Sequence, residues 1–262
     1  MIRLETLDEL LPPSGDMSSF PRVSSAWFSA MGDHRCHVTV VITDVGEGRA
    51  VSDMHVLLVH GFGGSGPWHW QQWLSGRLAE RDVSCELPAL PDQDHPELDR
   101  WLAVLRARLD SVPAEDELVV AAHSCGAALW LHHAATIAGR ARRADRVLLV
   151  SPPGPDWRHP DVRGVVPYPV DAHALRRAAG STRLVIGSGD PYLSVQDGHW
   201  LAETLRVEMD VLPDGEHLNT DAGYGPWPAV LRWTLHGSTP LADRFETEAN
   251  TFGASSSAFR LV

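Results

Sequence analysis

Between residues 54 and 237 the chain alternates short apolar runs with stretches of helical period, and few folds accept that alternation. MHVLLVH (54–60) reads as a buried strand, and residues 68–81 then carry apolar side chains at helical spacing. A short strand follows at 83–87. Residues 98–109 form an amphipathic pattern, with Leu98, Leu105 and Leu109 on one side and Arg and Asp on the other. LVVAA (118–122) is the next strand, and an Ala-rich helix leads from it to about Gly139. RVLLV (146–150) and RLVI (183–186) are two further strands. A helix at 194–205, a strand at 207–212 and a last helix at 226–235 complete the series. Strands interleaved with helices in this way predict an α/β fold, a mostly parallel central sheet flanked by helices on both faces. No internal repeat is present.

At 262 residues and 44% hydrophobic content the chain is sized for one substantial core. The expected organisation is an N-terminal extension (1–53), the α/β domain (54–237) and a C-terminal tail (238–262). The extension holds one plausible strand, 38–43, and is read as a lid, an extra strand or a partly disordered segment. The tail, with GASSSAF near its end, reads as loosely packed.

Charge narrows the partners. A formal net charge of −12 disfavours nucleic acid and an anionic membrane surface, since both need clustered positive charge. Every basic residue is arginine, so a Schiff-base lysine, a pyridoxal phosphate attachment and a phosphate-loop lysine are all excluded. The three cysteines, Cys36, Cys85 and Cys125, form no CxxC pair and suit a reducing compartment. MIRLETLDELLPPSGD has acidic residues where a signal peptide is basic, and no apolar run approaches the roughly 20 residues of a membrane span. The expectation is a soluble, cytoplasmic protein acting on a small-molecule substrate, with no cofactor and no metal.

Three constellations carry chemistry. Ala122-His123-Ser124-Cys125-Gly126 sits between a strand and a helix, as in a nucleophile elbow, where small residues flank a serine whose Oγ is presented above the sheet. A serine in front of a helix is also an ordinary N-cap. His60-Gly61-Phe62-Gly63-Gly64-Ser65 follows the first strand, and glycines there let backbone approach a substrate carbonyl. Backbone N–H groups of Phe62 and Cys125 are the expected oxyanion donors. Finally, Asp190 and His217 lie in loops after two late strands, where open α/β sheets place their sites. The order Ser124, Asp190, His217 is that of an α/β-hydrolase triad.

Rivals exist for the last two. Asp197 falls in a predicted helix and Asp210 within a predicted strand, while His199 and His236 fall in helices. Among 14 histidines, only His217 occupies the slot beyond the last strand. His132 and His133 are adjacent on a helix, so their side chains diverge by about 100° and make a poor metal pair. Substrate contacts are expected from His60, Gly61, Gly63, Trp68, His123 and Trp157. Trp70 and Trp227 read as core.

HGFGGSGPWHWQQWL (60–74), AHSCGAALW (122–130), GDPYLS (189–194) and GEHLNTDAGYGPWP (215–228) together resemble the RBBP9/YdeN family of small serine hydrolases. The likeness runs over roughly residues 56–235. It implies a compact α/β-hydrolase fold without a large cap domain, with a five- or six-stranded parallel core. Ser124, Asp190 and His217 match the family's triad positions. The stretch 157–180 departs from the family pattern and is expected to line the substrate pocket.

The function expected is a carboxylesterase- or thioesterase-like serine hydrolase, cleaving an ester, thioester or activated amide through an acyl-enzyme. The alternatives are the same triad used for acyl transfer, cyclisation or lyase chemistry, or a protein-binding scaffold.

Overall fold

The computed structural model describes residues 53–137, 141–241 and 244–245. The N-terminal extension, with its strand at 38–43, falls outside them up to residue 52, as does the C-terminal tail from residue 246.

Six strands form one sheet in the order β2-β1-β3-β4-β5-β6. They are β1 (Met54–Val59), β2 (Ser84–Glu86), β3 (Glu117–His123), β4 (Ala144–Val150), β5 (Ala179–Gly187) and β6 (Glu208–Leu212). Every neighbouring pair is parallel. The helices are α1 (Trp70–Ala79), α2 (Leu98–Ser111), α3 (Cys125–Thr136), α4 (Ala172–Ala178), α5 (Val195–Leu205) and α6 (Pro228–His236).

The continuous apolar runs follow from burial of both faces of the sheet. Successive residues of β1 and β3 point to opposite layers. Leu57, Val59, Val120 and Ala122 join a core with Trp101 and Leu105 of α2, Trp130 of α3 and Leu201 of α5. Val56, Leu58, Val119 and Ala121 join the other, with Leu74 and Leu78 of α1 and Leu231 of α6. Trp70 and Trp227 are fully buried in this second layer, ring edge to ring face at 5.5 Å.

The strand ends that matter all open on one side. Because the sheet is parallel and each crossover is helical, the carboxyl ends of β1, β3, β4, β5 and β6 gather at one rim. Helix α4 is one element the sequence pattern does not announce. It is only seven residues long, started by Asp171, whose Oδ1 accepts the amides of His173 and Ala174 at 2.8 and 3.0 Å. No helix among the described residues is long and apolar enough to cross a membrane.

Candidate active site

Ser124 is the residue between β3 and α3, with φ 54° and ψ −125°. Such a backbone costs a non-glycine residue energy, and it persists here because the surroundings fix it. The Ser124 amide donates to the Val150 carbonyl at 2.9 Å, and its carbonyl accepts the amides of Ala127 and Ala128. A Cβ on Gly126 would stand 2.4 Å from the Val59 carbonyl oxygen and 2.6 Å from that of His60. Only glycine lets α3 start this close to the end of β1. Although Ser124 holds the N-cap position, its side chain makes no capping bond.

That hydroxyl faces His217 instead. Ser124 Oγ lies 3.0 Å from His217 Nε2, and His217 Nδ1 lies 3.1 and 3.0 Å from the two carboxylate oxygens of Asp190. The Asp190 side chain is fully buried and also accepts the Tyr192 amide at 2.8 Å. An ionised carboxylate with these partners assigns the Nδ1 proton to His217 and leaves Nε2 to accept from the serine.

The loops bearing Asp190 and His217 are fastened together. Ser188 N–H donates to Leu212 O, Glu216 N–H to Ser188 O, and Asp214 N–H to Ser188 Oγ, at 2.8–2.9 Å. A Cβ on Gly187 would meet the Glu216 carbonyl oxygen at 2.2 Å. Around His217 the chain turns sharply, with Asp214, Glu216 and Leu218 all at positive φ. His123 adds a brace, its Nε2–H donating to the His217 carbonyl at 2.9 Å. Burial, then the neighbouring histidines, hold His123 neutral, with its pKa well below the usual histidine range.

The glycine loop after β1 rests on the elbow. A Cβ on Gly61 would lie 2.7 Å from Ser124 Cβ and 3.1 Å from the Cys125 amide. His60 secures the loop: Leu90 N–H donates to its Nε2 at 3.1 Å, and its Nδ1–H donates to Gly61 O at 2.8 Å. Gly63 N–H donates to Gln93 O at 3.0 Å. Burial pushes the Cys125 thiol up to about 11, a hydrogen bond from the Phe62 backbone offsetting part of the rise. This thiol is therefore a neutral group packed beside the serine.

Ser124 and His217 open on a cavity of about 320 Å³. Of the residues expected to touch substrate, Phe62, Cys125, His123 and Trp157 line it. His60, Gly61 and Gly63 do not; they shape the loop behind it. Trp68 stands 79% exposed ahead of α1, outside the lining. The cavity also takes in residues the sequence reading left unassigned, among them His69, His159, Tyr192 and Asn219. Tyr192 was the most findable, two positions beyond Asp190 in the GDPYLS stretch; its ring packs edge-on to His217 at 4.5 Å.

The rival groups are spoken for elsewhere. Asp210 receives Arg183 in a two-pronged ion pair at 2.6 and 2.7 Å, together with the Leu241 amide. Asp197 accepts from Ser194 at the start of α5. His199 and His236 are exposed. Among the described residues, no three His, Cys, Asp or Glu side chains stand together as a metal site.

A six-stranded parallel sheet with helices on both faces, and a serine at a strained strand-to-helix turn facing a histidine–carboxylate pair, define an α/β hydrolase. The sequence pattern of the serine hydrolase family matches residues 56–234, more than half of the chain, and the chain belongs to that family. It is a hydrolytic enzyme. The fold is shared with the ydeN gene product of Bacillus subtilis, at 21% identity and a TM-score of 0.58 over 69% of this chain and 95% of that one. A YdeN-like hydrolase from Pectobacterium atrosepticum is similar at 22% identity and a TM-score of 0.57, over 70% and 90% of the two chains. No curated protein matches the sequence.

Proposed function

We propose that the enzyme cleaves an ester, thioester or activated amide of a small molecule through an acyl-enzyme on Ser124. The observation that carries this reading is the unbroken relay from Ser124 Oγ through His217 to Asp190, with each link at 3.0–3.1 Å. His217 Nε2 takes the hydroxyl proton as Oγ bonds to the carbonyl carbon, while Asp190 steadies the imidazolium. The amides of Phe62 and Cys125 receive the oxyanion, each donor worth roughly 3–4 kcal/mol in comparable sites. Collapse of the intermediate breaks the bond to the leaving group, which takes its proton from His217. Water, deprotonated by the same nitrogen, then releases the acid.

Intact-mass analysis after exposure to a fluorophosphonate tests the proposal. A single adduct is expected on the wild type, absent from Ser124→Ala and strongly reduced in His217→Ala. An adduct that persists in Ser124→Ala, or none on folded wild type, would refute it.

A further inference from the structure

One wall of the cavity is built from rings in mutual contact. The Phe62 and His159 rings lie 5.5 Å apart and tilted by 53°. His159 and Trp157 stack at 5.8 Å and 12°. Trp157 and Tyr192 meet edge to face at 5.3 Å, and Tyr192 meets His217 in the same way at 4.5 Å. All four of Phe62, His159, Trp157 and Tyr192 line the cavity. They form an arc that starts on the loop bearing the expected oxyanion donor and ends on the triad histidine. Phe62 and Tyr192 are 38% and 39% exposed, and Trp157 packs against the core on one side while lining the cavity on the other.

The residues that follow His217 are of another kind. Asn219, Thr220 and Asp221 give the cavity a polar margin. The leaving group must sit by His217 Nε2 to collect its proton, and these polar residues follow His217 closely in the chain. Aromatic walls favour a planar aromatic guest over a saturated one of the same size, because ring edges carry positive and faces negative charge, and flat groups fit between them.

Resting on the function proposed above, we infer that the natural acyl group is a planar aryl or aryl-conjugated acid, held by the arc of Phe62, His159, Trp157 and Tyr192, with a polar alcohol or amine as leaving group. A benzoyl-sized acyl fits a cavity of about 320 Å³ with room for a small leaving group.

The test compares methyl benzoate with methyl cyclohexanecarboxylate, and benzyl acetate with cyclohexylmethyl acetate, with methyl butyrate as a small reference. Each kcat/KM is divided by the rate of hydroxide hydrolysis of the same ester. The expected result is a benzoate preference of roughly three- to tenfold in the acyl pair and none in the alcohol pair. In Trp157→Leu the acyl ratio should fall to about one, and Trp157→Phe should keep most of it. A variant that folds less well lowers both members of a pair alike, so the ratio is unaffected. Turnover without an acyl-side preference, a preference on the alcohol side, or a ratio unmoved in Trp157→Leu would overturn the inference while fluorophosphonate labelling of Ser124 leaves the hydrolase reading intact. Failure of both labelling and turnover overturns the two together.

Discussion

Ser124 stands where a serine ordinarily spends its hydroxyl on the first amides of a helix, yet it makes no such bond and turns to His217. The two uses are exclusive, and the backbone at φ 54° decides between them by aiming the side chain off the helix. The same kind of contest separates two aspartates. Replacing Asp190 with Asn should lower kcat on the order of 10⁴-fold, through loss of the correct His217 tautomer, with little change in melting temperature. Replacing Asp210 with Asn should do the reverse, costing about 3 kcal/mol by leaving Arg183 imperfectly paired, with kcat of the folded enzyme retained. Thermal melts and steady-state assays on the two variants distinguish these outcomes. At this scale the meeting of Ser124, Asp190 and His217 was legible because each sits alone in its slot along the strand series. It was uninformative about His69, His159 and Tyr192, which reach the cavity only through loop conformations with no periodic signature. Trp68 illustrates the converse: closeness in the chain to the glycine loop gave no information about which way its side chain turns.

The strands and helices owe their legibility to burial. Apolar runs such as those of β1 and β3 exist because both faces are covered, and α2, α5 and α6 show their period over at least nine residues. Helix α4 is too short to display one, and its clearest mark is the Asp171 cap. Where elements meet, glycines set the spacing. Gly126→Ala would force α3 away from β1, and Gly187→Ala would push the His217 loop off the end of β5. Each should cost about 1–3 kcal/mol of stability in denaturant melts. Gly187→Ala should also lower kcat by moving His217 relative to Ser124, since a shift of about 1 Å in the reacting groups can cost on the order of 10²-fold. An unchanged kcat in Gly187→Ala would show that the loop finds its place without this contact.

For the folded domain as a whole, the buried histidines set a limit on acid tolerance. Burial lowers the pKa of both His69 and His133 to about 4, and it lowers those of His60 and His123 as well. In the unfolded chain a histidine takes up its proton near 6.5, so between that pH and 4 the unfolded state binds protons the folded state refuses. The stability these rings allow is complete above 6.5 and declines as pH falls. His69 and His133 should each cost about 1 kcal/mol by pH 5.5, lowering the melting temperature by roughly 4–8 °C together relative to pH 7. Calorimetry at the two pH values measures the drop, and His133→Leu, which removes one of these buried rings beside Trp130, should make it smaller. No reading of the sequence could rank these histidines, because burial depends on how α1, α2 and α3 pack rather than on neighbours in the chain.

The relay of Ser124, Asp190 and His217 is hung on the ends of β3, β5 and β6, whereas Trp157 and His159 ride on the connection from β4 to α4, a span that touches no member of that relay in sequence. Two of the four cavity rings are thus carried on a segment apart from the relay, while Phe62 and Tyr192 sit on the loops that bear or adjoin it. Exchange of that one stretch between two strands would alter two rings of the wall and leave the residues of the relay in place.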